Sequence, residues 1–166
     1  MAVLPTPGWA EQPGELASGI DTLVLSLRGI ASRELLESLA EAKEAARLVS
    51  DSVAFELGGH EFLVAPGGLS RHTYRLQHAW GVLGISDSEK LPVVRFQPHA
   101  EILHSHGPLG VRDWLLHLVT EHIEVSSDLV SRVDLHADFQ GLNLVMGVNG
   151  QLKVPGGGHE KSPPFG

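Results

Sequence analysis

Apolar and polar positions change rhythm several times along this chain, and each rhythm predicts an element. Thr22–Leu27 is a branched, apolar run between Gly19 and Gly29, which predicts a strand. From Arg33 to Leu48 the spacing is helical. Leu35, Leu36, Leu39, Ala42 and Ala46 line one side, and Glu34, Glu37, Glu41 and Glu44 cover much of the rest. Ser32 is placed to cap the first turn. Val53–Leu57 and Glu61–Ala65 flank Gly58-Gly59, a pair that tolerates the positive φ of a tight turn, so a hairpin is expected. Thr73–Ala79 and Gly81–Ser86 read as two strands or one long bent strand. Pro92–Gln97 and Glu101–Ser105 read as a further pair broken at Pro98. A second helix is expected from about Gly110 to Ile123, with Val111, Leu115, Leu118, Val119 and His122 on one face and Trp114 beside it. Val130–Phe139 is the last clear strand, followed after Gly141 by Leu142–Val148.

Strand, helix, several strands, helix, strand, strand is the order of an α+β sandwich: a largely antiparallel sheet with two amphipathic helices on one face. The ends read differently. Residues 1–19 carry Pro5, Pro7 and Pro13 with three glycines and are expected to be an irregular leader. Residues 151–166 contain PGGGHEKSPPFG and are expected to be a disordered Gly/Pro-rich tail. Residues 20–150 are the expected folded unit. A doubly wound nucleotide fold does not fit, because the first strand–helix junction, Leu27 to Ser32, holds one glycine where a phosphate loop needs several.

Composition narrows the function classes. The chain has 166 residues, enough for one core, with 42% apolar and 19% charged residues. It contains no cysteine, so disulfides, thiol nucleophiles and cysteine-ligated metals are excluded. Twelve basic residues against twenty acidic ones give a formal charge of -8, which argues against generic, charge-driven nucleic-acid binding. Nothing resembles a secretory signal or a membrane span, so no membrane partner is expected and the cytoplasm is the default location.

The chemistry-bearing stretch is Ser131-Arg132-Val133-Asp134-Leu135-His136-Ala137-Asp138-Phe139. On a strand, side chains alternate, so Arg132, Asp134, His136 and Asp138 share one face, while Val133, Leu135, Ala137 and Phe139 share the other and pack on the helices. Two carboxylates and an imidazole in a row suit Mg²⁺ or Mn²⁺, and aspartate is disfavoured in mid-strand. The plainer reading is a solvated face with Arg132 paired to Asp134. His104-Ser105-His106 would point two histidines the same way if it were a strand. His72, Tyr74 and Leu76, and likewise Arg95, Gln97 and His99, alternate and could edge a groove, although such a trio is more often plain surface. Tyr74 is the single tyrosine, with Arg71, His72 and Arg75 near it.

The stretch Ser131–Phe139 resembles the Arg-x-Asp-x-x-x-Asp strand of rolling-circle replication initiation proteins of plasmids and phages. Gly19-Ile20-Asp21-Thr22-Leu23 resembles that family's opening strand, and Val93-Val94-Arg95-Phe96-Gln97 with Ile102-Leu103 and Gly107 resembles its central segment, a strand and a short turn into a helix. The resemblance covers about residues 18–142. It implies metal-dependent nicking of origin DNA through a tyrosine that becomes joined to the 5′ phosphate. Asp134 and Asp138 match the acidic strand, as metal ligands or as groups that orient one; Arg132 matches the arginine that fixes them; His136 has no counterpart there. The family's nucleophilic tyrosine lies downstream of the acidic strand, where this chain has none.

The expectation is therefore an initiator-like protein, truncated and with an incomplete sheet, that does not nick DNA alone and has no catalytic residue of its own. Origin DNA is the partner implied by the family. An open sheet edge implies self-association or pairing with a full-length initiator. Two other readings stay open: a small acidic protein-binding or regulatory module, and a metal-dependent hydrolase of another class using Asp134, His136, Asp138 and His104.

Overall fold

The structure, a computed structural model, describes residues 14–140, 145–146 and 152–153. In chain order the elements are β1 (Gly14–Ala31), α1 (Arg33–Val49), β2 (Val53–Leu57), β3 (His60–Val64), β4 (Tyr74–His78), β5 (Gly81–Ile85), β6 (Val94–Pro98), α2 (Ala100–Val119), β7 (Ile123–Gln140), β8 (Val145–Met146) and β9 (Leu152–Lys153). Seven strands form one open antiparallel sheet in the order β2-β3-β4-β5-β6-β1-β7, and β8 pairs with β9 separately. This is the expected α+β architecture. The chain divides into two compact units, Ile20–Leu135 and a second built from residues through Gly19 and from His136 onward. The first holds both helices and all of β2–β6. The described part of the second holds the start of β1, the end of β7 and the β8–β9 pair.

Within Ile20–Leu135 the sheet buries one face. The register aligns Leu27, Val94, Ile85 and Tyr74 in one row and Leu25, Phe96, Leu83 and Leu76 in the next. All eight are buried, with Leu35 and Leu39 of α1 and Leu103, Val111, Leu115, Leu118 and Val119 of α2 in the same core. Truncating such a side chain typically costs about 2–5 kcal/mol, so these rows dominate the fold's stability. Helix α1 forms where expected because its ends are satisfied as well as its face. The Ser32 hydroxyl accepts the Leu35 N–H at 3.2 Å, and Ser50, in the left-handed region, donates its N–H to the Ala46 and Arg47 carbonyls.

Several expectations need correction. Glu101–Ser105 is helix, not strand. Helix α2 starts at Ala100 with His99 at its N-cap, and Ile102 and Leu103 both donate to the His99 carbonyl at 3.1 Å. The helix kinks at Gly107 (φ 69°, ψ 168°), and Pro108, which has no N–H to lose, opens the second segment. β1 is far longer than Thr22–Leu27, and residues 14–19, assigned to the leader, are strand. The glycines that bounded the expected strand lie inside it. Gly29 is there because a Cβ would fall 2.0 Å from the Glu124 carbonyl oxygen. Leu152–Lys153 is strand β9, inside the segment expected to be a disordered tail. Of Leu142–Val148, only Val145–Met146 lies within the described residues.

β7 departs most. Val133 and Leu135, expected to pack on the helices, are 46% and 75% exposed, and Ala137 is exposed too. The side chain of Phe139 lies outside the described residues. The reason is position: α1 packs on β2–β4 and α2 on β6, so among the described side chains of β7 only Ile123 enters the core, with Val125 packed beside it. No helix among the described residues is long and apolar enough to cross a membrane.

The hairpin turn yields a direct test. Gly58 (φ 56°) and Gly59 (φ 78°) both have positive φ, as a two-residue hairpin turn requires. A Cβ on Gly58 would lie 2.4 Å from the Leu118 carbonyl oxygen, whereas one on Gly59 meets nothing within 4 Å. Gly59→Ala is expected to cost only the left-handed strain, about 1–2 kcal/mol. Gly58→Ala should cost clearly more, because α2 must also move. Urea unfolding of the two variants checks this; equal losses would show that α2 does not approach the turn.

Candidate functional site

The face of the sheet opposite the helices carries the polar chemistry. Cross-strand register aligns Ser26, Arg95, Gly84 and Arg75 in one row, and Leu63, Gln77, Val82 and Gln97 in the next. Alternation forces these outward once their neighbours are committed to the core. The segment between β3 and β4 folds over this face. Leu69 and His72 exchange backbone hydrogen bonds of 3.1 and 2.9 Å, and His72 is brought over Gly84. A Cβ at position 84 would stand 3.1 Å from Cβ and Cγ of His72 and 3.2 Å from Leu69 Cδ2, so the glycine clears the seat.

His72 is buried there, in the row between Arg75 and Arg95. Its Nε2 lies 3.1 Å from the Pro92 carbonyl oxygen, which can only accept, so Nε2 carries the hydrogen. Nδ1 is buried without a partner among the described residues. A second proton would have to go to Nδ1, away from water and near a guanidinium. Burial, and secondarily Arg95, push the His72 pKa down against the opposing hydrogen bond to Pro92. The Nε–H of Arg75 is also buried with no acceptor among the described residues. Neither Arg75 nor Arg95 has an ion-pair partner there. Asp87 accepts from the Thr73 hydroxyl at 2.6 Å. Two unneutralised guanidiniums beside a neutral imidazole, with glutamines in the next row, form a surface suited to an anion with hydrogen-bonding groups around it.

The acidic strand is arranged differently. Arg132 grips Asp134 through both nitrogens, Nη2 to Oδ2 at 2.7 Å and Nε to Oδ1 at 3.2 Å. That bond, helped by a hydroxyl hydrogen bond from Thr22, holds the Asp134 carboxyl below the usual carboxylate range. His136 and Asp138 fall in the other unit. There His136 is half-buried, its Cε1 lying 3.2 Å from where a Cβ on Gly19 would be, and Asp138 is exposed. Among the described residues no three His, Asp or Glu side chains gather as an ion requires. With Asp134 committed to a guanidinium, the donor set does not fit the Mg²⁺ or Mn²⁺ that the resemblance implies.

The remaining candidates are dispersed by the fold. Tyr74 is buried in the core, its pKa raised by burial and by Asp87, with the Lys43 ammonium 5.7 Å from its ring centre. It shares no surface with His72, which reaches the opposite face. Because residues 104–106 are helical, His104 and His106 diverge by about 200° and make no pair. His106 instead stacks on Trp80 at 4.5 Å, Trp80 on Trp114 at 4.5 Å, and Trp114 on His78 at 5.4 Å, with His60 edge-on to both. His78 Nδ1 accepts the Trp80 N–H at 3.1 Å, and burial, then His60, lower its pKa. Arg95 and Gln97 were legible as one face of a strand. Their juxtaposition with Arg75 and His72 was not, because it depends on the β4-β5-β6 register and on the reversal at Leu69–His72.

The two histidines make acid sensitivity a prediction. Their folded pKa values lie below the ordinary 6.5. The unfolded chain therefore takes up protons first, and stability is lost as pH falls through about 6.5 toward the folded values. Unfolding free energy from urea melts should decline between about pH 7 and 5. His72→Gln and His78→Asn should each flatten that decline by up to one proton; an unchanged slope in both would refute the assignment. Comparison of the chain with protein-family models, curated proteins and solved structures found no match, so its functional reading rests on this geometry and on the sequence resemblance.

Proposed function

We propose that this chain is a replication-initiator-type α+β domain that contacts DNA through the face of its sheet opposite the helices and does not itself cut it. The observation that carries the reading is the pair Arg75 and Arg95 flanking Gly84, unpaired among the described residues on a chain of net charge -8. Such a chain has little non-specific affinity, so its anion contact must be local. Gln77 and Gln97 in the adjacent row supply donors and acceptors for bases or sugars. The ordered initiator-like segments add the class of partner, and the acidic strand that carries the resemblance belongs to the edge strand β7.

The burial of Tyr74 supports the reading of binding without cutting. A tyrosine nucleophile must reach a phosphorus atom and lose its proton, and this one is 6% exposed with a raised pKa. The expected activity is therefore binding without a covalent step.

Fluorescence anisotropy with labelled single-stranded and duplex oligonucleotides at low salt tests the reading. Binding should weaken as salt rises. Arg75→Gln with Arg95→Gln should lower the log–log salt slope on the single strand by about 1.4, the value for two lost phosphate contacts. Thermal melts establish that the double variant is folded. No binding at low salt, or an unchanged slope in the folded double variant, would overturn the proposal. Incubation with Mg²⁺ or Mn²⁺ should leave both oligonucleotides uncut.

A further inference from the structure

We infer that β7 is the pairing edge for a second copy of this chain, with two β7 strands meeting antiparallel about a two-fold axis through Val133. β7 is the last strand in the sheet order, and no strand lies outside it among the described residues. It runs for 18 residues, whereas the opposite edge, β2, has five. Edge strands in monomers are kept from pairing by shortness, by proline or by charge. β7 is long and has no proline, its charges are of both signs, and Leu129, Val130, Val133 and Leu135 along it are all exposed.

The charges suit a second copy and, among axes from Ser131 to Asp134, favour one register. When identical strands pair antiparallel, an axis through Arg132 sets two arginines face to face, and one through Asp134 sets two aspartates so. An axis through Ser131 brings Asp134 against Asp128. An axis through Val133 places Arg132 opposite Asp134 of the second copy, and does so twice. It also sets Val133 against Val133 and Leu135 against Ser131. Opposite charges facing across strands stabilise a pair and like charges disfavour it. The bond already formed between Arg132 and Asp134 along one strand shows that both project to the same side, as cross-strand exchange requires. The interface is one strand wide, so the dimer belongs to the weak, reversible class. It does not depend on the DNA reading, since Arg75 and Arg95 lie on β4 and β6.

Charge exchange tests this without relying on the pair within each strand. Arg132→Asp gives a strand with two acids, and Asp134→Arg gives one with two arginines. Each variant alone should lose dimerisation by about tenfold or more in sedimentation equilibrium with EDTA present, folding being monitored by circular dichroism. Mixing the two should restore a heterodimer, although the bond within each strand stays broken in both. The chain has no cysteine, so single substitutions cross-link cleanly. Val133→Cys should oxidise to a covalent dimer faster than Leu135→Cys. A wild-type chain that stays monomeric at several hundred micromolar, a mixture that does not associate, or faster cross-linking at position 135 would each overturn the inference.

Discussion

One-sided burial of the sheet is the constraint on which the rest depends. Both helices lie against the same rows of leucine, isoleucine, valine and aromatic side chains, so each strand must place alternate residues on a dry face. Once Leu76, Leu83, Phe96 and Leu25 are committed inward, Arg75, Gly84, Arg95 and Ser26 have only the other side. A slip of one residue in β4 or β6 would put a guanidinium among the leucines, at a cost no surface interaction offsets. The hydrophobic effect fixes the register, and the register fixes where the cations stand.

The same constraint separates residues that the sequence places together. His72 and Tyr74 are two apart, yet one reaches the face opposite the helices and the other the core, because the chain reverses between Leu69 and His72 before β4 begins. His104 and His106 fall on a helix and part company. In exchange, His60, His78, Trp80, His106 and Trp114, drawn from β3, β4, the β4–β5 turn and α2, stack into one ladder beside the kink at Gly107.

At the sheet edge the constraint weakens. α1 and α2 cover β2–β4 and β6, and β7 passes beyond them with exposed Val133 and Leu135. Here the side chains are organised by electrostatics along the strand. The Arg132–Asp134 bond is largely solvated and adds little to stability. Its consequence is orientation: a carboxylate held by a neighbouring guanidinium is not a ready metal ligand, but it is one half of a pattern that an identical strand can complete.

Local signals in the sequence sufficed for the elements whose ends and faces are set by nearby residues. Ser32 with the leucines of α1, Gly58-Gly59 between β2 and β3, and the apolar face from Val111 to Val119 all read correctly because capping, positive φ and helical spacing act over a few positions. The segment Glu101–Ser105 was misread because a short apolar pair beside a proline suits either period, and its helix is set by the His99 carbonyl and by packing of Leu103. The arginine pair around Gly84, the burial of Tyr74 and the exposure of β7 were beyond the sequence altogether. They depend on which strands lie side by side and where the helices stop, and those are decided by long-range burial of apolar surface, which no local spacing records.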